Sequence, residues 1–216
     1  MRKINLIIAL LYVGLISVSA QQKIDRMDDN KWNWHEGIDK CQSIEFDDGC
    51  MVIKALKKYK GGSWYQNMAK TFARLPLRAK DDYKLTIKCI VPDYKKCQYW
   101  VYFNTSKKCL DDEDEGNTGD FSTFRLLMKA SNWVLDVGKK KKLKDKLPGK
   151  VKDNKNHPME FVIDKKRKKV EIEINGIQIY KDECTLTEPC IGFVVPVGSS
   201  LKVDEVIIYQ NEESEE

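Results

Sequence analysis

Glu171 and Glu173 are the first residues whose spacing could do chemistry. They alternate with Val170, Ile172 and Ile174. In an extended strand, residues two apart share a face and stand about 6.5–7 Å from each other. A pair of carboxylates is what retaining or inverting hydrolysis of a glycosidic bond requires. The same pattern also describes a solvated strand face that ends in a turn.

A second set is aromatic. Trp100 and Tyr102 share one face of a strand pattern, and Tyr99, Val101 and Phe103 share the other. The second group is the more apolar and is expected to face a core. That leaves Trp100 and Tyr102 on the opposite sheet surface. Trp64, Tyr65 and Trp133 could join them, with Arg125 as a polar partner. Flat rings on a sheet stack against the apolar faces of sugar rings, while polar groups fix orientation. Filling the second side of a sandwich core is the alternative use of the same rings.

Charge is segregated along the chain. Lys139 to Lys169 holds 14 Lys and Arg against four acids, a local balance of +10, densest at Lys139 to Lys142. Such a run attracts anionic polysaccharide, lipid headgroups or nucleic acid through counterion release. It lacks interleaved aromatics for base stacking, so nucleic acid is not the expected partner. Lysines that guard strand edges against aggregation are the plainer reading. Asp111 to Asp120 is the opposite case, an acidic loop with Gly116, Asn117 and Gly119. Its hard oxygens could wrap calcium, although the spacing is not that of the helix–loop–helix calcium site. Otherwise it is a solvated loop, and no cofactor is expected.

The remaining chemistry is sparse. The chain has two His residues, His35 and His157, which excludes a His-rich metal site. There is no phosphate-binding glycine loop, dinucleotide fingerprint or Ser-centred elbow. No residue is assigned a catalytic or metal-binding role. Asn104-Thr105-Ser106 has the form of a glycosylation acceptor.

The leader indicates the compartment. Arg2 and Lys3 precede a 13-residue apolar run, Leu6 to Val18, and small residues follow at Ser19 and Ala20. This is the pattern of a cleaved secretion signal over residues 1–20. The run is short for a bilayer core that needs about 20 residues, and no second apolar run follows. The mature chain is therefore expected outside the cell or in a periplasm, with no transmembrane segment. The whole chain carries 38 Lys and Arg against 33 Asp and Glu. Seven cysteines in an exported chain point to disulfides, with at least one left over. Cys184 with Cys190, Cys97 with Cys109, and Cys41 with Cys50 are the candidate sets. Connectivity stays open, as does a reading with buried free thiols.

The elements that must position these groups are strands. Val170 to Ile174 leads into Asn175-Gly176, a two-residue hairpin signal, and Ile177 to Tyr180 returns. Further strands are expected at 43–46, 51–56, 83–91, 98–104, 122–129, 133–137, 159–164, 191–195 and 202–209. About eleven short strands with regular turns predict an all-β, antiparallel sandwich or barrel. Residues 64–74 are ambiguous: Trp64, Met68, Phe72 and Leu75 also fit a helical stripe. Gly61-Gly62 and Pro76 bound this stretch closely and favour a strand. With no repeat and no long linker, residues 21–210 read as one domain, followed by an acidic tail at 211–216.

The run MEFVIDKKRKKVEIEINGIQIY, followed by PCIGFVVPVGSSLKVDEVIIY, resembles the concanavalin A-like, laminin-G-like jelly roll. The opening residues, Trp32 and Trp34 and then Phe46-Asp47-Asp48-Gly49, resemble it too. The resemblance covers most of residues 30–210 and implies architecture more than activity, since the superfamily holds lectins, glycoside hydrolases and adhesion domains. Its glucanases carry their acids as acid-x-Asp-x-(x)-Glu. Here the middle acid is Glu173, and Asn175 stands where the next would be, so that motif is broken. Some members bind calcium. The expectation is an exported, non-catalytic β-sandwich that binds carbohydrate or another extracellular polymer. A glycan-cleaving enzyme on the same fold, and a protein-interaction or adhesion domain, are the alternatives.

Overall fold

Side-chain alternation decides the architecture. Val170, Ile172 and Ile174 have no solvent exposure, while Glu171 and Glu173 stay partly exposed between them. One face of each strand must therefore be covered, and a second sheet covers it. The computed structural model describes residues 21–34, 37–38, 42–56, 68–78, 81–90, 98–105, 122–129, 132–137, 141–146, 159–183 and 189–210.

The strands in chain order are β1 (Gln21–Asp25), β2 (Gly37–Ile38), β3 (Gln42–Asp47), β4 (Cys50–Ala55), β5 (Met68–Arg74), β6 (Tyr83–Ile90), β7 (Tyr99–Thr105) and β8 (Ser122–Met128). They continue as β9 (Asn132–Val137), β10 (Lys141–Lys146), β11 (Met159–Lys166), β12 (Lys169–Ile174), β13 (Ile177–Glu183), β14 (Cys190–Pro196) and β15 (Ser200–Gln210). A nine-stranded sheet runs β13-β12-β11-β6-β15-β4-β3-β2, with β1 also on β15, and a six-stranded sheet runs β10-β9-β8-β7-β14-β5. Every pairing is antiparallel. Among the described residues, no helix is long and apolar enough to cross a membrane.

All eleven strands expected without ambiguity are present, and β1, β2 and β10 are additional. The ambiguous stretch is a strand over Met68–Arg74. Its spacing of four residues, Met68 to Phe72, is close to one helical turn and is also an even number. It therefore satisfies both periods, and only the tertiary pairing with β14 decides between them. The leader, the acidic loop 111–120, His35, His157 and the tail 211–216 lie outside the described residues.

The core forms where the two inner faces meet. Leu85, Ile87, Phe161, Ile163, Val206 and Ile208 come from the larger sheet. Val101, Phe103, Phe124, Leu126, Ile191 and Phe193 come from the smaller one. Phe103 and Phe124 stack with centroids 4.6 Å apart. Across the sandwich, Phe124 meets Tyr180 edge-on at 5.5 Å, and Tyr99 meets Phe161 at 6.4 Å. Such ring pairs add about 0.5–1.5 kcal/mol beyond their buried area.

β15 is shared. Its Ser200–Val203 half pairs with β4, and its Val206–Gln210 half pairs with β1 on the same edge. β6 lines the other edge, with a register shift between Val203 and Glu205. The extra residue explains an otherwise odd burial pattern. Leu201 and Val203 point inward before the bulge, and Val206 and Ile208 point inward after it.

The expected hairpin is present. Asn175 and Gly176 have φ of 50° and 75°, as a tight two-residue turn demands. The Asn175 amide donates to the Glu160 carbonyl at 2.9 Å, and its Oδ1 accepts from the Glu160 amide at 3.0 Å. Two stability outcomes follow. Ile172→Ala should cost about 2–5 kcal/mol in denaturant unfolding, as for other large-to-small core changes. Gly176→Ala meets open space but a positive φ, and should cost about 1 kcal/mol. Equal, negligible losses for both would contradict this account of the β12–β13 hairpin.

Candidate functional site

The outer face of the six-stranded sheet carries Trp100, Tyr102 and Arg125 of the expected set. Tyr99, Val101 and Phe103 point inward along β7, so Trp100 and Tyr102 point outward. On β8, Phe124, Leu126 and Met128 point inward, so Arg125 and Leu127 point outward. Antiparallel register then sets them in rows. One row reads Phe72, Gly192, Tyr102, Arg125, Asp136, Lys142 across β5 to β10. The next reads Lys70, Val194, Trp100, Leu127, Val134, Lys144.

The first half of this face is apolar and closely packed. Met68, Phe72, Trp100, Tyr102 and Val194 form a cluster of their own, with Leu127 packed on it. Phe72 meets Tyr102 edge-on, with ring centroids 6.1 Å apart. The Phe72 ring lies over Gly192, where an added Cβ would stand 2.0 Å from the Phe72 Cδ1. Trp100 and Tyr102 are 6% and 1% exposed. They take the face that alternation predicts, but they do not form an open platform.

The second half is polar. Arg125 donates through Nε and Nη2 to Asp136 Oδ2 at 3.0 and 2.8 Å, from directly across the β8–β9 pair. The other Asp136 oxygen lies 3.7 Å from Lys142 Nζ on β10. Asp136 thus ties three strands together through their side chains. Arg125 remains 35% exposed and Asp136 20%, so this pair is accessible to a ligand.

Not all expected residues meet here. Trp133 is a correction: it stands opposite Met128 and packs in the main core. Its parity on β9 is that of Leu135, not of Val134 and Asp136, so it points inward. Trp64 and Tyr65 lie outside the described residues. The residues that sequence reasoning missed are Asp136, Leu127 and Val134. Their signal was the register opposite Arg125 and Trp100, which a single sequence does not display.

The acid pair on β12 is elsewhere, on the outer face of the nine-stranded sheet. Lys181 donates to Glu171 Oε1 at 2.6 Å. That hydrogen bond holds the Glu171 carboxyl below its usual range, helped by the charges of Lys181, Lys166 and Lys169. A general acid for glycoside cleavage needs the opposite shift. On the same face Lys88 is bonded to Glu205, which raises the lysine's pKa.

Cys50, one of the disulfide candidates, keeps a free thiol in this structure. It is 9% exposed and its Sγ lies 3.9 Å from Asp204 Oδ1. Burial, then the charge of Asp204, pushes the thiol up, away from the thiolate form. Cys190 is buried at the start of β14. Cys41, Cys97, Cys109 and Cys184 lie outside the described residues.

Gly192→Ala should force Phe72 off its seat and lower stability by about 1–3 kcal/mol, read by denaturant unfolding. The Glu171 contact should be present above the ordinary carboxylate range and fade as pH falls through the lowered folded value. An NMR titration of Lys181→Ala should return the Glu171 pKa upward toward an ordinary glutamate. An unchanged midpoint would remove Lys181 as the cause.

No family model matches the sequence, and no curated protein sequence matches it. Solved structures do. A Bacillus subtilis protein of unknown function with a galectin-like fold superposes with a TM-score of 0.61 at 15% identity, covering 87% of this chain and 94% of that one. The catalytic domain of an endo-1,3-β-glucanase (laminarinase) from Thermotoga petrophila RKU-1 gives 0.58 at 14% identity, covering 90% and 100%. The carbohydrate recognition domain of Emp46p gives 0.59 at 10% identity, covering 89% and 93%. With two antiparallel sheets packed face to face and this set of structural neighbours, the chain has the concanavalin A-like jelly-roll fold.

Proposed function

We propose that this chain is an exported, non-catalytic β-sandwich that binds carbohydrate or another extracellular polymer across the outer face of its six-stranded sheet. One observation carries the reading. The register sets Trp100 opposite Leu127 and Tyr102 opposite Arg125, so an apolar floor and a polar anchor lie side by side. The buried rings flank Arg125 and Leu127 on the same face and pack against Leu127. Half-buried Leu127 and Val134 offer apolar surface, and the Arg125–Asp136 pair offers donors and acceptors in a fixed orientation. That combination suits a sugar ring, with its apolar face and hydroxyl rim. Carbohydrate recognition is also what one structural neighbour, the Emp46p domain, is named for.

Binding is favoured over hydrolysis by the state of the carboxylates. Asp136 is engaged by Arg125, and Glu171 is held ionised by Lys181 on the other sheet. Neither is placed as a proton donor to a leaving group. A glycan array should separate the readings, with wild type, Arg125→Ala and Trp100→Ala compared and the melting temperature of each recorded. Specific binding by wild type that falls about tenfold or more in Arg125→Ala, at unchanged stability, supports this site. Blank arrays over many glycans would instead point to a protein-interaction domain.

A further inference from the structure

The cationic edge of this face narrows the ligand class. We infer that the ligand is a linear polyanionic polysaccharide, sulfated or carboxylated, whose acidic groups run along β10. The inference rests on the proposed binding face and names its substrate class.

The argument starts from one leucine. In the β10 sequence KKLKDK, Leu143 packs against the main core. That anchor sends its alternate neighbours Lys142, Lys144 and Lys146 to the outer face, where all three are exposed. In single file on one strand they stand about 6.5–7 Å apart. Among the described residues, β10 is the last strand of its sheet, and no described strand flanks the row on its outer side. Two more cations face the same way. Arg125 lies two strands in, and Lys129 is exposed at the β8–β9 hairpin, where its amide donates to the Asn132 carbonyl at 2.9 Å. Asn132 stands opposite Lys146, so Lys129 and Lys146 bracket that end of the face.

Among the described residues, these five cations share the outer face of β8 to β10 with one carboxylate, Asp136. Asp136 is already engaged by Arg125 and approached by Lys142. A polyanion laid along the edge would meet Lys142, Lys144 and Lys146 in turn, with the Leu127–Val134 strip beside it for the apolar faces of its sugars. A straight row at regular spacing matches a linear chain of fixed charges, and the apolar strip gives the sugar rings a second contact.

The test uses the whole chain with dextran sulfate, heparin and neutral dextran as probes at physiological salt. Two triple variants lose the same charge: K142Q/K144Q/K146Q on β10, and K54Q/K84Q/K202Q on the outer face of the other sheet. Wild type should bind both sulfated probes with affinity that falls steeply as salt rises. The β10 triple should lose about tenfold, as three exposed ion pairs imply, and the control triple should lose little. Circular dichroism and melting temperature confirm that both variants fold. Equal losses in the two triples, or equal binding to single-stranded DNA and to phosphatidylserine vesicles, would overturn the inference in favour of nonspecific attraction. So would a β10 triple that self-associates while binding dextran sulfate as before, since the lysines would then only guard the edge. Binding of neutral glycans without sulfated ones sinks the polyanion inference and leaves the proposed function standing. Binding of neither class sinks both.

Discussion

The structure depends on the parity of its strands. Two sheets can share an interior only if each strand offers alternate apolar side chains to it, and that requirement fixes the outside as firmly as the inside. Tyr99, Val101 and Phe103 enter the core, so Trp100 and Tyr102 cannot. Phe124, Leu126 and Met128 enter it, so Arg125 and Leu127 cannot. The candidate site is therefore the reverse side of strands whose other face lines the main core. Its side chains stand on a grid of about 4.8 Å between strands and 6.5–7 Å along them. Held that way, the Arg125 fork meets Asp136 from directly opposite, and the orientation of the pair is set by the register.

A sandwich also has ends, and here polar groups close one of them. Asp81 is 4% exposed and accepts from the Arg78 amide and guanidinium at 2.8 and 2.9 Å and from Gln210 Nε2 at 2.9 Å. Lys165, 3% exposed, donates to the Asp81 carbonyl, lies 3.7 Å from Asp82 Oδ1 and sits over the Tyr83 ring. Burying such groups is costly unless each is satisfied, and deleting one partner strands the other. The cluster thus joins the ends of β11 and β15 to the segment before β6 more specifically than apolar contact would. A second polar seam lies where β1 leaves the sheet. Asp25 accepts from the Met27 amide at 3.0 Å and from Trp34 Nε1 at 3.1 Å, while Trp34 packs on Phe193 at 5.6 Å. Burial pushes the Asp25 carboxyl up, and those two bonds oppose the rise without cancelling it.

Much of this was legible in the chain because period-two patterning is local. The β12–β13 hairpin could be read from five alternating residues and an Asn-Gly step, and the split of β7 into two faces from five residues. What failed was what depends on partners. β10 has one apolar residue among its six, so no alternation announces it; its pairing with β9 makes it a strand. Trp133 was grouped with the outer aromatics by residue type, although Trp133, Leu135 and Val137 are the more apolar alternate set. The burial of Trp100 and Tyr102 is a third case. Alternation says which way a ring points, but what packs over it is a tertiary matter.

The two halves of the outer face differ in kind, although each ends in an edge strand: β5 is covered and β10 is exposed. β14 and β7 lie inside the six-stranded sheet, and their outward Val194, Trp100 and Tyr102 are buried; β5 is the sheet's other edge, and its outward Met68 and Phe72 are buried in the same cluster. Among the described residues, β10 has a neighbouring strand on one side only. An edge strand with apolar residues on both faces would invite another strand to pair with it. Leu143 supplies its single inward anchor, and the lysines make the rest of the edge unattractive to a second sheet. The charge that prevents edge pairing is the same charge that creates a cationic rail beside an apolar floor. Protection of the edge sets only the sign of the residues. It does not require that Arg125 and Lys129, away from the edge, carry the same sign on the same face. Their presence extends the positive surface inward by two strands, toward Leu127 and Trp100, and an inward extension is what a ligand lying across the sheet would use.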